Sequence, residues 1–96
     1  MSAKQSLERV WVFVGQHARF PSGVFRSFYD AEGWIAQHKL SGFLTEYPVG
    51  TGVLDWALEH GRFTPKADKV IDADYVSKFT SAYQAHHQYE DGFRRR

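Results

Sequence analysis

The sequence predicts an α+β domain: a small, mainly antiparallel sheet of three or four strands covered by two or three helices, in the order ββαβαα, with the helices on one face. Three features carry this prediction. Val10, Trp11, Val12, Phe13 and Val14 form an unbroken β-branched and aromatic run, too short for a helix. Ala31, Trp34 and Ile35 recur at spacings of three and four after a capping serine, which is helical periodicity. A chain of 96 residues has room for one core, and its 17% aromatic content supplies apolar area that so short a chain otherwise lacks.

Taken in order, residues 1–8 are polar and aperiodic and are expected to form a flexible terminus, with a single domain over 9–92 and a basic tail over 93–96. The Val10–Val14 run, closed by Gly15, reads as a strand buried on both faces. Gln16 to Ser22 is a broad loop with turn chemistry at Pro21 and Gly23, and Val24 to Arg26 returns as the second strand of a hairpin. Ser27 is a helix N-cap, its hydroxyl accepting from the amide of Asp30 while the Asp30 carboxylate reaches back. That helix runs to about Lys39 and stops at Gly42. Phe43 to Val49 alternates as a third strand ended by Pro48. Thr51 caps a second helix, Val53 to His60, and Gly61 ends it. After a linker over Arg62 to Ile71, Asp72 or Asp74 caps a last helix carrying Tyr75, Val76, Phe79, Tyr83 and His86 at helical spacing. From about Ala82 two readings stand, the end of that helix or a short strand at the sheet edge, with Gly92 beginning a turn.

Charge narrows the function. Twelve Lys and Arg face eleven Asp and Glu, but Arg94, Arg95 and Arg96 close the chain, and without them nine positive residues face eleven negative. A dedicated nucleic-acid binder carries a clustered basic excess instead. No cysteine is present, which removes disulfides, thiolate metal sites and a Cys nucleophile and suits a cytoplasmic protein. No apolar stretch approaches the roughly 18 residues that span a bilayer, so no membrane role is expected.

The candidate chemistry is sparse. His17, His38, His60, His86 and His87 form no paired ligand spacing, so no metal and no cofactor is expected; His38 and His60 sit at helix C-termini, where an imidazole is at home. No nucleophile-elbow pattern surrounds Ser22 or Ser41, and no catalytic residue is assigned. Two surfaces remain. The first is the hairpin tip, with His17, Arg19, Phe20 and Ser22 on a rigid scaffold; an arginine beside an aromatic residue is a common interface anchor. The second is the pair Asp55 and Glu59, four residues apart on one helix face.

The segments VWVFVGQHARFPSGVF, GWIAQHKLSGFLTEYP, GVLDWALEHGRFTPK and FTSAYQAHHQYEDG together resemble a family of small bacterial proteins of unknown function. The resemblance implies a stand-alone accessory protein of the kind that accompanies toxin or secretion loci. The expected function is therefore that of a non-enzymatic protein-binding module, in its most specific form an immunity or antitoxin-like protein that neutralises a partner toxin. The alternative is a small nucleic-acid-binding module, because the strand-turn-strand-helix-strand unit is similar in outline to the hybrid-binding domain ahead of some ribonucleases H. In that reading Arg9, Arg19, Arg26 and Arg94 to Arg96 would contact the phosphates. The sequence leaves the oligomeric state open.

Overall fold

The computed structural model describes residues 8–79 and 84–95. The chain forms β1 (Arg9–Gly15), β2 (Pro21–Phe25), α1 (Phe28–Gln37), β3 (Gly42–Pro48), α2 (Val53–Glu59), α3 (Ala73–Lys78), β4 (His86–Glu90) and β5 (Phe93–Arg94). Among the described residues one antiparallel sheet holds every strand, in the spatial order β2-β1-β3-β4-β5. This corrects the expected three or four strands and the order ββαβαα: the sheet has five strands, and two follow the last helix. The reason lies in residues 86–90, where Tyr89 is buried and His87 half-buried while His86, Gln88 and Glu90 are exposed. That is period two, the pattern of a strand with one covered face.

β1 pairs on both sides, with β2 in a hairpin and with β3 in register from Arg9 opposite Pro48 to Gly15 opposite Gly42. Within β1 only Phe13 is fully buried; its neighbours are half-covered. Phe13 faces Leu44 across the β1–β3 pair, and the two join Ala31, Ile35 and Tyr89 in one core, with Trp11, Phe25, Phe28, Trp34 and Leu40 packed around them.

α1 supplies the helical wall of that core. The Ser27 hydroxyl accepts from the amide of Asp30 at 3.3 Å, satisfying one of the free donors of the first turn. Ala31 and Ile35, four apart, have no exposed surface, and Trp34 meets the rings of Phe13 and Phe25 at 5.8 and 5.3 Å. The helix does not wait for Gly42 to stop. Lys39 adopts φ 54°, its N–H donates to Ala36 O, and the N–H of Leu40 donates to Ile35 O, a Schellman ending with Leu40 folded onto the core. Gly42 instead opens β3.

α2 packs against β3. Leu54, Trp56 and Ala57 are buried but stand outside the Phe13 core, and Thr45, which alternates away from Leu44, is buried as well. The helices therefore do not share one face. Thr51 is not the cap of α2: Gly52 takes that position with no side-chain bond, and the Thr51 hydroxyl donates to the Gly52 carbonyl at 3.5 Å. Asp72 does cap α3, accepting from the amide of Tyr75 at 2.9 Å. α3 ends at Lys78, where Phe79 turns extended, rather than running to His86; Tyr83 lies outside the described residues.

Asp91 and Gly92, at φ 52° and 91°, make the two-residue turn between β4 and β5. Both central residues at positive φ match the right-handed twist of the flanking strands. The amide of Arg95 continues the pairing to Gln88 O at 2.7 Å, so residues 93–95, set apart in the sequence as a basic tail, are paired to the sheet edge.

Candidate functional site

The β1–β2 connection is held at its base. Ala18 N–H donates to Gly15 O, and Gln16 N–H donates to Ser41 O, both at 3.0 Å, which fixes the tip to the entry of β3. His17, Arg19, Phe20 and Ser22 are all exposed on it. At 74% exposed, Phe20 is no part of the core. A phenylalanine held in water on an anchored loop has apolar area to bury only against something else.

Asp55 and Glu59 are exposed on α2. Asp55 lies in the first turn, where a carboxylate faces the positive end of the helix dipole, an ordinary structural placement. The structure does not bring this pair to the hairpin tip. The tip extends from the Gly15 end of β1, whereas the chain enters α2 after Pro48, which is opposite Arg9 at the other end.

A polar cluster that sequence reasoning missed sits where α1 meets β4 and β5. Tyr89 Oη donates to Glu32 Oε2 at 2.6 Å, and Arg94 Nε stands 3.6 Å from the same oxygen. The Arg94 guanidinium also lies 5.5 Å above the Phe28 ring, and His87 packs against Trp11 and Phe28 at 6.0 and 5.3 Å. Glu32, Tyr89 and Arg94 border a cleft of about 310 Å³ that Ala36, Gly92 and Phe93 also line. Burial and the hydrogen bond to Glu32 push the Tyr89 phenol well above its ordinary range, so it stays a neutral donor rather than a base. Glu32 is matched by one hydrogen-bond donor, Tyr89, and one cation, Arg94. The cluster is a clasp that ties the C-terminal hairpin to α1. Its members are 57 residues apart for Glu32 and Tyr89, so no local spacing announces it.

Burial, reinforced by Arg94 and His86 and opposed by Glu32, holds the His87 imidazole below its ordinary value of 6.5. In the interval below 6.5 the unfolded chain takes up a proton that the folded one refuses, so acidification removes stability. His87→Phe keeps a ring against Trp11 and Phe28 and is expected to flatten this part of the pH dependence. Melting temperatures of both proteins between about pH 7.5 and 5 test it, and equal slopes would exclude the effect.

His60 and His38 take structural places at helix ends: the Nδ1–H of His60 donates to Trp56 O at 2.9 Å, and His38 closes α1. Among the described residues no three His, Asp or Glu side chains gather as a metal-ligand set, and no helix is long and apolar enough to cross a membrane. A family model described as a domain of unknown function, DUF7710, matches residues 10–95. The chain belongs to that family. No curated protein and no solved structure gives a significant match. The DUF7710 match runs from β1 through Arg95, so the hairpin tip, the Glu32–Tyr89–Arg94 clasp and β5 all fall inside the family domain.

Proposed function

We propose that this DUF7710 domain is a protein-binding module without a reaction of its own, acting in its most specific form as an immunity or antitoxin-like protein that occupies a partner protein. The observation that carries the reading is Phe20, 74% exposed beside exposed Arg19 on a loop held at its base. Aromatic and arginine side chains remove much surface from water at low entropic cost, which is why they dominate interface energetics. Two of the arginines that a nucleic-acid reading would need are tied to carboxylates at the C-terminal hairpin, Arg94 with Glu32 and Arg95 with Glu90. Such pairing weakens the attraction for phosphate.

The test is capture from the source cell with the tagged chain, identification by mass spectrometry, and titration of the purified partner. Arg19→Ala and Phe20→Ala are each expected to weaken binding by about 2 kcal/mol or more, the scale of an interface hot spot. Because neither side chain is packed, their melting temperatures should stay near that of the parent. Lost stability with unchanged affinity of the folded fraction would defeat the anchor.

A further inference from the structure

We propose that β2 receives an extended, acidic segment of the partner as an added sixth strand, with a carboxylate of that segment seated between Arg9 and Arg26. This rests on the protein-binding reading and gives it a mode and a partner chemistry. The two edges of the sheet are built differently. β5 has only two residues, and the arginines there are tied down, Arg94 to Glu32 and Arg95 to Glu90. Short length and charge are what natural sheets use to keep an edge from recruiting another strand. β2 has five residues, Pro21–Phe25, and none of them is charged. Only Pro21, at its first position, lacks a donor. Alternate residues of an edge strand turn their N–H and C=O groups outward; the register shifts between Phe13 and Val14, opposite Ser22, and residues 23–25 beyond it offer a hydrogen-bonding template that an extended backbone satisfies. Val24, 63% exposed, gives the incoming strand an apolar contact, and Phe20 stands just before the edge.

Charge sets the sign of the occupant. Arg19 and Arg26 flank β2, and both are exposed. At the Arg26 end a cleft of about 340 Å³ is lined by Glu8, Arg9, Val10, Arg26 and Val49. Among the described residues Arg26 is held there by Glu8 at 3.9 Å and Arg9 by Glu46 at 3.7 Å; the Arg26 side chain is 89% exposed, and so loose a surface pair yields to a carboxylate brought in by a docked strand. A planar guanidinium also suits bidentate capture of a carboxylate.

A phage-displayed library of random linear peptides selected on the full chain supplies the probe, and the enriched peptide is then synthesised and titrated. The expected result is an alternating apolar sequence carrying Asp or Glu, with the outward-facing backbone amides among residues 22–25 gaining protection from hydrogen exchange on binding. Val24→Lys and Arg26→Glu are each expected to weaken the peptide by about tenfold or more, with melting temperatures unchanged. No enrichment, or an enriched peptide that leaves β2 unprotected and tolerates Arg26→Glu, overturns strand addition. If Phe20→Ala still abolishes capture of the cellular partner in that case, the protein-binding reading survives and only its mode falls. A concentration-dependent dimer abolished by Val24→Lys would assign the edge to a second copy of this chain and would also overturn the proposal.

Discussion

Phe13→Ala is expected to lower the unfolding free energy by about 3–5 kcal/mol, the range for emptying a buried aromatic site. Phe13 is 1% exposed, faces Leu44 across the β1–β3 pair, and meets Trp34 edge-on at 5.8 Å. Its ring thus fills space between the sheet and α1 that neither can close by collapse, because both backbones are fixed by their own hydrogen bonds. Against a total of roughly 5–15 kcal/mol for a domain, the loss is a large fraction. Urea midpoints of the two proteins read it directly. An unmoved midpoint would take Phe13 out of the core and the packing of α1 with it.

Gly42→Ala should be nearly as damaging for an unrelated reason. A Cβ built on Gly42 would lie 2.3 Å from the carbonyl oxygen of Val14, 2.8 Å from the Phe13 ring and 2.9 Å from the Gly15 Cα. The first and last of these are backbone atoms of β1, so relief requires β1 and β3 to part at their paired end. We expect a loss of about 3 kcal/mol, at the upper end for overpacking. Gly33→Ala is the matching control: it lies in α1 with nothing within 4 Å of the added carbon. There the substitution should stabilise by roughly 0.5–1 kcal/mol through helix propensity. Opposite signs at the two glycines are the expected outcome, and equal effects would contradict the close approach of β1 and β3.

Local chemistry explains which parts of this fold can be read from the chain. The Val10–Val14 run becomes β1, Ser27 and Asp72 cap helices by their own side chains, and the alternation in Phe43 to Val49 is that of β3. Where one pattern serves two structures, the sequence leaves both open: from about Ala82 it allows the end of a helix or a strand at the sheet edge, and the structure has the strand. Tyr75, Val76, Phe79, Tyr83 and His86 fit a helical stripe, yet the helix stops at Lys78 because His87 and Tyr89 find burial on a sheet edge that only the folded chain provides. Arg94 and Arg95 look like the start of a charged tail until Glu32 and Glu90 are placed beside them. The hairpin tip is legible for the same reason that β1 is: its turn residues are contiguous. The Glu32–Tyr89–Arg94 clasp is not, because it joins a helix to a distant hairpin. The open edge at β2 is likewise a property of strand order, not of any segment.

Strand order also sets when each pairing can form. β1 and β2 are separated by residues 16–20, whereas β3 and β4 are separated by residues 49–85. Treated as flexible loops, the longer closure is costlier by roughly 2 kcal/mol of chain entropy. The ββαβ unit over residues 9–48 is therefore expected to assemble before the C-terminal hairpin joins it. Until residues 86–95 arrive, β3 is itself the margin of the sheet and the Phe13 core lacks Tyr89. A chain truncated before residue 86 would therefore present β3 as an open margin over a core short of one aromatic ring.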